Sequence, residues 1–158
     1  MAAPVVTPPQ YATGFKMPDG YSSRFVFKNK PTISLWELTV KPPGFDGGDL
    51  IDNTSMQNKK WRTRRVRHLI TLTESSMVAY YDPDMFNDLI AQLNAEQAIS
   101  QWWPDGSALA FYGALIKADF AELKEGEPPT VNCTIGPTNW DPAAGVEADP
   151  VFQPAAGT

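Results

Sequence analysis

Six cations crowd into nine residues around one tryptophan: Lys59, Lys60, Arg62, Arg64, Arg65 and Arg67 surround Trp61. Clustered cations beside an aromatic ring suit nucleic acid, because phosphates need positive charge and unstacked bases need a flat apolar platform. Immediately upstream lies a glycine-rich acidic run, GFDGGDLID, with Asp46, Asp49 and Asp52 at every third position. That spacing departs from the alternating acids of a calcium loop, and the run lacks the lysine and following helix of a phosphate-cradling loop. The other chemically capable side chains are isolated. His68 is the only histidine and Cys133 the only cysteine, which argues against a zinc site and against any thiolate cluster or disulfide within the chain. No Gly-x-Ser-x-Gly elbow or other paired nucleophile and base stands in the sequence, so the chain is expected to be no enzyme and to need no cofactor.

Two uses of the charged stretch follow from its residue types. In a strand, residues 62, 64 and 66 share one face while 65 and 67 share the other, so the six cations cannot all line one groove. The alternative uses acids and bases together. If the segment projects, its acidic limb on one copy can meet the basic limb of another, and a heterologous contact of that kind builds rings or open filaments. Complementary charge sets the register of such a contact, and Trp61 and Met56 supply apolar anchors.

The elements that position this stretch read mainly as β. Ser22–Lys28 and Thr32–Val40 carry the branched and aromatic residues of strands, with Trp36, Leu38 and Val40 on one face and Glu37 and Thr39 on the other. Pro42, Pro43 and Gly44 end the second strand, and no period is sustained from there to about Thr63. A long aperiodic loop inside a compact domain is read as functional. Strands are expected again at Val66–Thr73 and Ser76–Tyr81. Then DPDMFNDLIAQLN changes the period: Asp82 caps, Pro83 opens, and Phe86, Leu89, Ile90 and Leu93 form one apolar helical stripe. The segments 98–103 and 108–118 flank a Pro-Asp-Gly-Ser turn, and in Thr130–Pro137 the residues Val131, Cys133 and Ile135 alternate with polar neighbours. Together these predict two packed antiparallel sheets, a β-sandwich or barrel, flanked by one short helix and carrying a long inter-strand loop.

Size and charge bound the rest. The 158 residues fit one domain, expected at 21–140, between an N-terminal arm at 1–20 and a flexible proline-rich tail at 141–158. No apolar run approaches the roughly 20 residues that cross a bilayer, and no secretory leader is visible, so no membrane partner is expected. Residues 1–67 hold 11 Lys/Arg against 5 Asp/Glu, a net of +6, whereas residues 68–158 hold 2 against 13, a net of −11. A molecule so divided attracts a second copy of itself, or steers a charged partner.

In this order, the stretches LWELTVKPPGFDGGDLIDNTSMQNKKWRT, LTESSMVAYYDP, WPDGSALAFYGALIK and EGEPPTVNCTIGPTNW resemble the tail tube proteins of long-tailed, non-contractile bacteriophages, over about residues 33–140. The resemblance implies two β-sheets beside one helix, hexameric rings whose strands join into an inner barrel, and stacking of ring on ring through a long loop. Residues 42–65 occupy the place of that loop, so Asp46, Asp49, Asp52, Met56, Lys59, Lys60, Trp61, Arg62, Arg64, Arg65 and Arg67 become the expected joint. Glu37 and Thr39 become the expected lumen wall. The implied partners are further copies of the chain, the tape-measure protein, the tail terminator and distal tail proteins, with phage DNA passing through the lumen without specific binding. The implied location is the virion tail, assembled in the host cytoplasm. RTRRVRHL is more basic than the family's pattern, which leaves contact with DNA, the tape-measure protein or the acidic tail open. The immunoglobulin-like domain that follows the tube domain in some relatives is not expected. A tube of a contractile tail shares the fold, and a small β-barrel binding single-stranded nucleic acid through Trp61 and the basic cluster is the alternative from another class.

Overall fold

A computed structural model of the chain describes residues 23–33 and 35–154. The expected N-terminal arm, at residues 1–20, and the start of the first strand at Ser22 lie outside the described residues. In chain order the elements are β1 (Arg24–Phe27), β2 (Glu37–Lys41), β3 (Phe45–Asp46), β4 (Ile51–Asp52), β5 (Arg64–Arg65), β6 (Thr71–Leu72), β7 (Ser75–Tyr80), α1 (Phe86–Ala91), β8 (Gln97–Trp102), β9 (Ala108–Phe120), β10 (Thr130–Pro137), β11 (Trp140–Asp141), β12 (Val146–Glu147) and β13 (Val151–Gln153).

The fold is mainly β, with one short helix, as the periodicity predicts. Its architecture is a curled antiparallel sheet, a half-barrel in the order β1-β8-β9-β10-β7-β2 with β13 added beside β9, accompanied by the small sheets β3-β6, β4-β5 and β11-β12. The curl has a local cause in β9. The first half of this 13-residue strand pairs with β8 and its second half with β10, and Gly113 is the partner of both Gln97 and Pro137. A Cβ on Gly113 would lie 2.7 Å from the Gly136 carbonyl oxygen, so only glycine lets the strands approach this closely at the handover. A register shift at Thr134/Ile135 adds to the bend.

Strict alternation then places the core. Val131, Cys133 and Ile135 of β10, Met77 and Ala79 of β7, and Leu109, Phe111 and Leu115 of β9 face one side with Phe25, Phe27 and Ile99. Ile33 and Leu35 from the β1–β2 connection, Leu72 of β6 and Leu89 from α1 join this cluster. The helix is shorter than its apolar stripe. Asp82 accepts a hydrogen bond from the Asp84 amide (3.0 Å) at the start of a 3₁₀ turn, Pro83–Met85, and six α-helical residues follow. Only Leu89 of the stripe is fully buried; Phe86 and Ile90 remain over a third exposed. The buried Gln97 ties the helix end to the sheet, donating to Gln92 (2.9 Å) while accepting from the Asn29 amide (2.9 Å).

Two further expectations change. The strand expected at Thr32–Val40 enters the ladder only at Glu37, because Ile33 and Leu35 turn inward to fill the core. The tail expected to be flexible is folded as far as Gln153: β11 and β12 form a small hairpin, and β13 pairs with Ala108–Ala110 at the start of β9. That pairing uses the stretch of β9 that β10 leaves uncovered.

Candidate functional site

Residues 42–73 form an arm, and the expectation of an aperiodic loop gives way to an irregular hairpin. At its root β3 pairs with β6, Phe45 opposite Leu72, and Thr73 donates to the Gly44 carbonyl (2.7 Å). Leu72 enters the core and anchors the root. Farther out β4 pairs with β5, Ile51 opposite Arg65 and Asp52 opposite Arg64. The expected strand at Val66–Thr73 is thereby reduced to Thr71–Leu72. The cause is visible between the two ladders: Gly48 adopts a left-handed φ of 78° and donates to Asp46 (2.8 Å), which breaks the pleat.

The tip is held by one side chain that sequence reasoning passed over. Asn58 accepts from the Ser55 amide (3.0 Å) and donates to the Trp61 carbonyl (2.8 Å), while Thr54 and Thr63 bond across the two limbs. The signal for it was present in the Asn/Ser/Thr content of NTSMQN, which favours such local turns. The closed tip presents Met56, fully exposed, and Trp61, 73% exposed, with the Lys60 ammonium 5.3 Å from the Trp61 ring centre.

The acids and cations meet inside one arm, where the charge argument had paired limbs of different copies. Asp52 forms an ion pair with Arg62 (3.3 Å), and Arg67 donates to the Asp49 carbonyl (2.9 Å). Hydrogen bonds from Thr54, with the Arg64 and Arg62 charges behind them, hold the Asp52 carboxyl below its ordinary value. Among the described residues Arg62 alone of the six arm cations forms an ion pair. The arm keeps a net +3, from six Lys/Arg against three Asp. Arg64 and Arg65 stand on opposite faces of β5, so the cations line no single groove.

Glu37 and Thr39 do not share a face. A bulge lies between them: Glu37 opposes Ala79, a core residue, whereas Thr39 opposes Val78 on the outer side. Thr39 therefore lies in an outer row with Val78, Asn132 and Asp119, beside a second row of Lys41, Ser76, Thr134 and Lys117. Lys117 and Asp119 pair at 2.7 Å, leaving this face nearly neutral and rich in hydroxyls. Glu37 instead borders an open cleft of about 850 Å³ between the two edge strands, β1 and β2, with Phe25, Ile33, Leu35 and Trp36. Burial raises its pKa, partly offset by a backbone hydrogen bond and by Arg24.

Nothing else assembles into a reactive centre. His68 sits at the arm root across from Glu147 and Asp149, and Cys133 is buried in the core. Among the described residues no cluster of His, Cys, Asp or Glu could hold a metal, and no helix is long and apolar enough to cross a membrane.

No family model matches the chain, and no curated protein matches it. Among solved structures, the chain is similar to one in the cryo-EM structure of the anti-feeding prophage (AFP) baseplate, 6-fold symmetrised, with a TM-score of 0.56. The match covers 85% of this chain and 92% of that chain at 7% identity, so the likeness is one of fold.

Proposed function

We propose that this chain is a non-enzymatic structural subunit of a phage-type tail, self-assembling into stacked hexameric rings that form the tube for genome delivery. The observation that carries the reading is the arm. A two-stranded ribbon is marginal in water by itself, and this one buries almost none of its apolar groups: Phe45, Leu50, Met56, Trp61, Val66 and Leu69 are all more than half exposed. Such a ribbon gains its stability from a surface it lies on, and a surface on another copy makes it a joint. The similarity in fold to a chain of a six-fold phage-derived baseplate supports a ring-forming role.

In this reading the nearly neutral outer rows that include Thr39 suit a channel wall, because a hydroxyl-rich face offers DNA few charges to grip. Tape-measure, terminator and distal tail proteins would be the partners inside and at the ends of the tube. The internal ion pair of Asp52 with Arg62 diverts one cation from a nucleic-acid footprint, and Arg64 and Arg65 stand on opposite faces of their strand.

Negative-stain electron microscopy of the purified protein across a concentration series tests the proposal, with hollow tubes as the expected result. Rings that never stack would move the chain to a baseplate role, and a sheath-binding outer surface would mark a contractile tail. A monomer binding single-stranded oligonucleotides with a steep salt dependence would replace the reading. Arg64→Glu with Arg65→Glu is expected to leave the domain folded and stop tube growth; sedimentation of that variant as wild-type tubes would refute the arm's role.

A further inference from the structure

The end of the sheet opposite the arm carries an exposed aromatic cluster that the fold does not use. Tyr81, Phe86 and Phe120 pack ring against ring, with centroids 5.5–6.3 Å apart, yet each remains more than a third exposed. Ile90 on the outward side of α1 is 37% exposed, and Leu123, just beyond β9, is 78% exposed. A contiguous exposed aromatic cluster of this kind marks a contact.

Its charge identifies what fits. Asp82 and Asp84 stand at the helix start, and the β9–β10 connection carries Glu122, Glu125 and Glu127 against a single Lys124. The arm is its complement: a closed, turn-locked tip in which Lys59 and Lys60 lie between the exposed Met56 and Trp61, on a segment of net +3.

The register separates the two surfaces. Lys41 pairs with Ser76 at the arm end of β7, while Thr130 pairs with Tyr80 at the other end, next to Tyr81. Along six residues of strand the two ends lie about 17 Å apart. The arm of one molecule therefore meets the cluster of a second molecule when the copies are stacked head to tail, which is an open heterologous contact.

We infer that the Tyr81–Phe86–Phe120 cluster, rimmed by Glu122, Glu125 and Glu127, is the receiving surface for the arm tip of a second copy of this chain. This inference rests on the stacking role of the arm proposed above and names the other half of that joint. Trp61 and Met56 cover the aromatic cluster, and Lys59 and Lys60 face the glutamates of the rim. Each molecule then donates at one end and accepts at the other, so growth has a direction.

The test is zero-length carbodiimide cross-linking of mixed isotope-labelled and unlabelled full-length protein, mapped by mass spectrometry, alongside electron microscopy of the same samples. Inter-copy links from Lys59 and Lys60 to Glu122, Glu125 or Glu127 are expected. Links from those lysines to other regions, or none, overturn the inference. A charge exchange supplies the second arm of the test. Lys59→Glu with Lys60→Glu, and separately Glu125→Lys with Glu127→Lys, are each expected to cut tube yield at least tenfold, and combining all four is expected to restore it. Wild-type yield from the glutamate variant, or failure of the combination to recover, overturns it. The two readings separate cleanly: tubes with links elsewhere defeat the receiving surface alone, and the expected links without tubes defeat the tube reading alone.

Discussion

Trp61→Ala separates an arm that serves assembly from one that serves the fold. The side chain is 73% exposed, so only about a quarter of its surface is covered within the molecule. A tryptophan offers roughly 200 Å², so the covered part amounts to about 50 Å² and, at about 25 cal/mol per Å², to at most ~1.3 kcal/mol of folding stability. The remaining ~150 Å² is free to be buried at a joint, where its loss costs ~3–4 kcal/mol per contact, or a few hundredfold in the affinity of that contact. Thermal melting of the unassembled protein should therefore shift by only a few degrees, while the critical concentration for tube growth, read by pelleting after seeding with sheared wild-type tubes, should rise a few hundredfold. Trp61→Phe should recover part of the difference. Growth of Trp61→Ala at the wild-type critical concentration would refute the reasoning, and so would a melt lowered as far as a core truncation lowers it.

Gly113→Ala drives a methyl group into the Gly136 carbonyl at the strand handover and is expected to cost about 1–3 kcal/mol by denaturant unfolding, whereas Gly47→Ala, with nothing within 4 Å, should be close to neutral. Cys133 has no exposed surface and its thiol is pushed up to about 11 by burial, so a thiol reagent at pH 8 should label it only at the rate of unfolding. Glu37 is raised by burial, which means that the folded state binds its proton more tightly than the unfolded chain. The stability this adds is complete below about pH 4.5 and is lost as pH rises through the raised value, leaving a half-buried anion at neutral pH. Glu37→Gln should therefore melt above wild type at pH 7 and match it near pH 4.

What was legible in the sequence follows the strength of each local signal. Thr130–Pro137 alternates without interruption, and its bounds and inward set appear in the structure as read. The helix was found from Asp82 and Pro83, but its length was overestimated, because an apolar stripe at helical spacing does not distinguish a face that packs from one left exposed. The pairing of Glu37 with Thr39 on one face failed at a single bulged residue, Leu38, since one extra residue reverses the side on which every earlier residue points. The sequence reading divides the arm into an aperiodic loop, 42 to about 63, and a strand at 66–73, where the structure has one irregular hairpin. Its ladders are two residues long, too short to create a period, and its order comes from Asn58, Asp46 and Gly48, whose bonds are local and leave no repeating pattern. The tail was misread for a different reason: β13 is held by an edge of β9 that is open only because β10 departs at Gly113, a fact of the tertiary fold.

The uneven charge along the chain also takes a spatial form that sequence position alone did not disclose. Half of the cationic excess of the first 67 residues, +3 of +6, resides in the arm, at one end of the sheet, and part of the acidic excess that follows stands at the other end, in the 121–129 connection and at the helix start. Internal pairing of Asp52 with Arg62 neutralises one cation of the arm, yet it does so along the limbs and leaves the tip lysines without an acidic partner among the described residues. A molecule with opposite charge at opposite ends repels a copy placed end to like end and attracts one placed head to tail. In the stack proposed above, charge would select the polarity, and the aromatic groups at the two ends, Trp61 and the Phe120 cluster, would supply the apolar area that holds it.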